Sequence, residues 1–199
     1  MTASNDDLEL KDRLALIESM IAEGRRTTEG YGWTFVLWGI AYYVAIAWSG
    51  LGHFANAWPV TMVSAAIATA AILWRRRRNH PANTTVRAVS AAWIAMGISM
   101  FVLLDALGYS GKLTDWRVFA AIVSTMIGTA NATSSLTLKW KLQFACAVIW
   151  WGAAIVSCYG TNQQSSIAFL IAIFLCQIVF GVYGIIRESR TRRQAAVHA

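Results

Sequence analysis

The chain has 199 residues, of which 57% are hydrophobic and 14% are charged, with a formal net charge of +7 and a mean hydropathy of +0.48. A soluble domain carries about 25% charged residues, so this composition argues against an ordinary soluble globule and against a disordered or fibrous chain. In so apolar a chain the basic balance points to orientation in a membrane, and we expect no nucleic-acid partner.

The first residues predict an amphipathic helix that ends at Gly24. One apolar face, called here the N-terminal stripe, consists of Leu10, Leu14, Ile17 and Ile21. Six of the ten acidic residues precede Gly24, opposed only by Lys11 and Arg13. A helix that lies on anionic lipid is basic instead. We therefore expect the stripe to bind protein: a second copy, the chain's own inner connectors, or another membrane subunit.

Six continuous apolar segments follow, and the sequence predicts an all-α polytopic membrane protein. The segments are 32–51, 57–74, 88–107, 118–138, 142–159 and 167–186. Each is close to the roughly 20 residues that a helix needs to cross a bilayer. An outer-membrane barrel would show alternating segments of about ten residues instead. The predicted organisation is a cytoplasmic helix and linker (1–31), a six-helix domain (32–186) and a basic tail (187–199).

The cations predict the orientation of these spans. All but two of the 17 Lys and Arg residues, namely Lys112 and Arg117, flank the spans on one side, with the largest run at 75–78. By the positive-inside rule this side is the cytoplasm, so both termini lie inside a bacterial inner membrane. The acidic N-terminal segment does not resemble a cleaved signal peptide.

The spans form three hairpins that are consistent with an internal repeat. Each hairpin opens with a tryptophan near a glycine: Trp38-Gly39, Trp93 to Gly97, and Trp151-Gly152. The alternative is that any six-helix protein has three hairpins, in which Gly and Trp are common.

The stretch 16–21, followed by Tyr31-Gly32-Trp33 and by the residues 35–39, resembles a group of uncharacterised bacterial six-helix inner-membrane proteins. These proteins open with an amphipathic helix and an aromatic-Leu-Trp-Gly first span. The resemblance covers about the first fifth of the chain, implies a bacterial inner-membrane location and implies no activity. The pair Ala41 and Ala45 is also similar to the small-residue stripe of the vitamin-binding subunits of energy-coupling-factor transporters, from which the acidic N-terminal helix departs.

Several intramembrane side chains are candidates for a ligand site or a pore. They are Asp105, Thr125, Thr129, Asn131, Thr133, Gln177, Trp38, Trp93 and Trp151. Asp105 is either a carboxylate at a pore mouth or a hydrated interfacial residue. The threonines, spaced four apart, either line a polar cavity or return their hydroxyls to their own helix in a packing face. The tryptophans either stack on a flat ligand or fill the core.

No pattern in the sequence assigns a reaction. Metallopeptidase, serine-hydrolase and P-loop motifs are absent, and the three histidines lie outside the spans. Cys146, Cys158 and Cys176 lie in apolar spans and are expected to pack rather than bind metal. We name no catalytic residue, no metal site and no cofactor. The expected function is a non-enzymatic membrane module that assembles with itself or with a larger complex, and the alternative is a small transporter or channel subunit.

Overall fold

The computed structural model describes residues 2–52, 54–77 and 84–197, and these residues form seven helices and no strand. The first six are α1 (Thr2–Glu29), α2 (Gly32–Gly50), α3 (Phe54–Arg77), α4 (Thr84–Tyr109), α5 (Trp116–Leu138) and α6 (Lys141–Tyr159). The last helix, α7, runs without a break through Asn162–Ile173, a π-helical segment Phe174–Val179, and Phe180–Val197. Arg78, assigned above to an inner connector, and the C-terminal residues 198–199 lie outside the described residues.

Five stretches of these helices are long and apolar enough to cross a membrane. They are Gly32–Gly50, Asn56–Arg75, Thr84–Tyr109, Lys141–Tyr159 and Asn162–Arg190. The prediction of a helical membrane protein is therefore confirmed at this level. Helix α5 corresponds to the fourth predicted span and has 23 residues, but it is not among the five. Its threonines, serines and Asn131 make it the most polar of the predicted spans, so a sixth crossing stays a prediction.

Helices α5 and α6 form the central antiparallel pair. They are joined by Lys139 and Trp140, and Lys139 takes the left-handed conformation (φ 49°) that closes the turn. The amide of Trp140 donates to the carbonyl of Ser135 at 2.9 Å. Helix α7 packs on α6 and α2, while α3 packs on α2 and α4 packs on α5. The bundle core is thus built from α2, α5, α6 and α7, and α3 and α4 lie at its edges.

Glycines set the close approach of α2 to α7. A Cβ added at Gly32 would lie 2.6 Å from the carbonyl oxygen of Gly181 and 2.8 Å from the amide nitrogen of Ile185. A Cβ at Gly181 would lie 2.8 Å from the carbonyl oxygen of Gly32. Such backbone contact is how helices associate in lipid, where the hydrophobic effect does not drive helix onto helix.

Aromatic rings fill two regions of the core. The larger group, called here the aromatic cluster, consists of Tyr42, Trp58, Trp116, Phe119, Trp150 and Phe169. Its rings pack mainly edge to face, with centroids 4.5 Å apart for Trp58 and Phe119 and 5.7 Å apart for Trp150 and Phe169. A second group surrounds Phe35, whose ring packs on Trp93 and Phe180.

Helix α1 lies against one end of the bundle, called here the α1 end. A Cβ added at Gly24 would lie 3.0 Å from Cγ2 of Thr85 and 3.3 Å from Cδ2 of Leu138. The prediction that the helix ends at Gly24 is wrong: α1 continues to Glu29, and Gly24 is buried at the contact. Glycine is needed there for this close approach, so its sequence signature was read as a helix stop.

The three glycines that mark the predicted repeat have different surroundings. A Cβ at Gly39 would meet Cδ1 of Ile178 at 2.7 Å, whereas Gly97 and Gly152 have open space at that position. These glycines therefore share no common packing role, and the threefold repeat of hairpins stays a prediction.

Candidate functional site

The buried polar side chains of the core include three carboxamides on three different helices. Asn131 on α5, Gln143 on α6 and Gln177 on α7 expose 1%, 0% and 3% of their surface. The Nδ2 group of Asn131 donates to the carbonyl of Ile127 at 3.0 Å, but its Oδ1 has no partner among the described residues. Both amide atoms of Gln143 and the Oε1 of Gln177 are likewise unpartnered there. Buried polar atoms normally have partners, so these three carboxamides form our candidate site.

The predicted threonine ladder faces away from this site. Thr125, Thr129 and Thr133 are exposed on α5. Their hydroxyls donate to the carbonyls of Ala121, Thr125 and Thr129, one turn earlier, at 2.8 to 2.9 Å. The hydroxyls are therefore satisfied within α5.

The three candidate tryptophans are half-buried packing residues in the structure. Trp38 donates its Nε1–H to the hydroxyl of Thr69 at 3.2 Å. Trp93 donates to the hydroxyl of Ser134 at 2.8 Å and so joins α4 to α5. The indole of Trp151 packs on Gly128, where an added Cβ would lie 2.6 Å from its Nε1.

Asp105 lies on α4, half exposed, and is not near the carboxamides. Trp93 on α4 and Ser134 on α5 lie at the same depth of the bundle, because their side chains form a hydrogen bond. Asp105 is twelve residues further along α4, which is about 18 Å along the helix axis. That direction leads away from the α1 end, so the structure places Asp105 and the carboxamides at different depths of the bundle.

An ion pair that was not predicted from the sequence lies at the end of the bundle opposite the α1 end. Asp115 caps α5, because its carboxylate accepts a hydrogen bond from the backbone amide of Arg117 at 2.9 Å. The same carboxylate accepts a hydrogen bond from the guanidinium of Arg117 at 2.8 Å and forms an ion pair with it. The same guanidinium donates to the carbonyl of Gly160 at 3.2 Å, which ties α5 to the turn before α7. The side-chain bond from Arg117, together with its amide, holds the pKa of the Asp115 carboxyl below its usual value. The resulting stabilisation is present above the usual carboxyl pKa and is lost as the pH falls through the lowered value.

The N-terminal stripe is mostly uncovered in the single chain. Leu10, Leu14 and Ile17 expose 57%, 53% and 53% of their surface, and Ile21 is half-buried. A shallow cavity of about 180 Å³ separates this part of α1 from the α5–α6 turn. It is lined by Glu18, Ile21, Ala22, Leu138 and Lys139. Ile21 thus lies beside the bundle, and the other three residues of the stripe are exposed.

Two features of the core were not predicted from the sequence. Gln143 is the second residue of the predicted span 142–159, and it was not among the candidate residues. Cys146 and Cys176 were expected to be packing residues, without a prediction of their partners; the Sγ of Cys176 lies 3.6 Å from the carbonyl of Cys146 and joins α6 to α7. Gln143, Cys146, Ala147 and Trp150 lie on one face of α6, but that helix is apolar on its other faces too, so its sequence period does not mark this face as buried.

Comparison with models of protein families, with curated proteins and with solved structures found no match.

Proposed function

We propose that the protein is a non-enzymatic integral membrane module that assembles, through α1, with a second copy of itself or with a subunit of a larger membrane complex. The observation that carries this proposal is the exposure of Leu10, Leu14 and Ile17 on a helix that lies at the end of the bundle. Contiguous exposed apolar surface outside the bilayer marks an interaction site.

The charge of α1 favours protein as the covering surface. Acidic residues outnumber cations in its first 23 positions, so the helix gains nothing from an anionic leaflet. Cations surround the α1 end instead, including Arg87 at the start of α4, Lys139 in the α5–α6 turn and Arg187 on α7. A second copy therefore offers a complementary surface for an acidic apolar helix.

The alternative function, a small transporter or channel subunit, requires a polar path through the bundle. The threonines that were its expected wall lie on the outer face of α5 and bond within their own helix. Hydroxyls that bond within their own helix are as typical of helix packing as of a cavity wall, so the threonines give no support to a pore. We therefore place assembly first.

We further propose six crossings, with both termini on the cytoplasmic side of a bacterial inner membrane. Supporting this, α1, the α5–α6 turn and the C-terminal part of α7 lie at one end of the bundle, as an even number of crossings requires. The cations concentrate at the same end. The apolar windows of α3 and α4 are only 17% and 11% buried, as expected of helices that face lipid or another subunit.

Reporter fusions test this topology. Fusions at Arg78, Lys141 and the C-terminus are expected to give cytoplasmic activity, and fusions at Ala55, Gly111 and Asn162 periplasmic activity. A C-terminal fusion on the periplasmic side would give an odd number of crossings and contradict the proposal.

The introduction of negative charge into the stripe tests assembly. The double substitution Leu14→Asp and Ile17→Asp is expected to shift the native complex to lower mass, because two carboxylates cannot be buried in an apolar contact. Native mass spectrometry of detergent-extracted protein measures this. The control, Ala15→Asp with Ser19→Asp, adds the same charges to the other face of α1 and should leave the mass unchanged. An unchanged mass in the stripe variant, with membrane insertion intact in both, would refute assembly through α1.

A further inference from the structure

The three carboxamides lie at one level of the bundle. For Asn131 on α5 and Gln143 on α6, a contact between the two helices shows this. A Cβ at Gly128 would lie 3.3 Å from the carbonyl of Ala147, so these two residues face each other. Asn131 is three residues further along α5, and Gln143 is four residues back along α6. Because the helices are antiparallel, both steps lead toward the α1 end, by about 5 and 6 Å.

Helix α7 reaches the same level. Cys176 meets the carbonyl of Cys146. Gln143 precedes Cys146 by three residues, and Gln177 follows Cys176 by one, so both again lie toward the α1 end, by about 5 and 2 Å. Asn131, Gln143 and Gln177 are therefore within one helical turn of a common depth, and all three are buried.

The local structure of α7 is irregular at this level. Cys176 and Gln177 belong to the π-helical segment Phe174–Val179, in which one residue more per turn changes the direction of the side chains. Such π segments inside α-helices are frequent at functional sites. On its other side the Cβ of Gln177 packs against α2 at Gly39, where an added Cβ would lie 2.9 Å away. The glutamine is thus fixed between helices rather than free to reach the surface.

Within the three carboxamides, the unpartnered atoms are mainly acceptors: the Oδ1 of Asn131, the Oε1 atoms of Gln143 and Gln177, and one donor group, the Nε2 of Gln143. Other unpartnered buried groups among the described residues include the Oγ of Ser124 and the indole N–H groups of Trp58, Trp116 and Trp150. An excess of carbonyl-type oxygens calls for a species that donates hydrogen bonds or carries positive charge. Each group is uncharged, so a divalent ion, which prefers carboxylates, is disfavoured.

We propose that Asn131, Gln143 and Gln177 bind a small hydrogen-bond donor within the bundle, either water or a monovalent cation of ammonium size. Buried water in proteins makes about three hydrogen bonds to such otherwise unsatisfied groups, and three carboxamide oxygens provide this number. The site uses α5, α6 and α7 and is independent of assembly through α1.

Hydroxyl-radical footprinting by X-ray radiolysis tests for water, because a bound water molecule produces radicals next to the side chains that surround it. Cys146 and Cys176 are buried one turn or less from the carboxamides and act as internal reporters, while exposed Cys158 is the reference. We expect oxidation of Cys176 in the native protein and its loss in Gln143→Met and in Gln177→Met. Methionine has nearly the length of glutamine, and either single variant is sufficient if the other does not fold. The control Gln163→Met changes an exposed glutamine of the same helix as Gln177 and should leave the oxidation unchanged.

Melting temperatures in ammonium chloride and in choline chloride, at equal ionic strength, identify a cation. A rise specific to ammonium that is lost in Gln177→Met assigns the site to the cation, and Cys176 oxidation without a salt effect assigns it to water. The proposal is overturned if Cys176 is oxidised equally in the native protein and both variants without a salt effect. It is also overturned if Gln143→Met raises the melting temperature, as removal of a dry, unpartnered amide would.

Discussion

Gly32→Ala is expected to separate α2 from α7 and to lower the free energy of unfolding by about 3 kcal/mol, at the upper end for overpacked cores. The new methyl group would lie 2.6 Å from the Gly181 carbonyl oxygen and 2.8 Å from the Ile185 amide nitrogen. Both are backbone atoms, so no side-chain rotation relieves the contact and the helices must move apart. The hydrogen bonds within each helix prevent either backbone from yielding locally, so packing is lost along the whole contact.

Thermal unfolding of the purified protein measures this effect. For a chain of this length, 3 kcal/mol corresponds to a fall of about 6 to 12 °C in the melting temperature. Gly39→Ala should cost less, because an added Cβ there would meet side-chain atoms rather than backbone: the Cδ1 of Ile178 at 2.7 Å and the Cβ of Gln177 at 2.9 Å. Gly97→Ala and Gly152→Ala are the controls, since neither methyl group would meet another atom within 4 Å. Equal melting temperatures for Gly32→Ala and Gly97→Ala would show that α2 and α7 are not in backbone contact.

Phe169→Ala is expected to destabilise the protein by about 3 to 5 kcal/mol, the usual cost of removing a fully buried aromatic ring. The ring of Phe169 has no exposed surface and packs edge to face on Trp116, Trp150 and Tyr42. Its loss leaves a cavity between α2, α5 and α6, and the large neighbouring rings are too tightly packed to close it.

The matched control for this substitution is Phe101→Ala on α4, where 48% of the side chain is exposed. Both variants lose the same atoms, so the difference between their melting temperatures isolates burial in the aromatic cluster. A fall in Phe101→Ala as large as that in Phe169→Ala would contradict the assignment of the core to α2, α5, α6 and α7.

The sequence determined which parts of the chain are helical and suited to a membrane. Backbone groups in lipid must bond within their own helix, so a continuous apolar segment already specifies a helix without knowledge of its neighbours. For this reason the segments 32–51 and 142–159 coincide closely with α2 and α6. The positions of the cations along the chain are also read directly from the sequence. Counting the predicted crossings between them then predicts that they lie at the same end of the bundle.

Only the tertiary structure decided which face of each helix points inward. In a helix that is apolar all round, the period of 3.6 residues carries little information, because lipid-facing and core-facing residues have the same polarity. Thr129 and Gln143 illustrate the result: Thr129, a candidate for a cavity wall or a packing face, is exposed on α5, and Gln143, which was not a candidate, is buried on α6. The glycines show the same limit, since Gly32 is in backbone contact with α7 and Gly97 has open space. The level shared by Asn131, Gln143 and Gln177 depends on contacts between different helices, such as that of Cys146 with Cys176, which are 30 residues apart in the chain. It therefore depends on the packing of α5, α6 and α7 against one another.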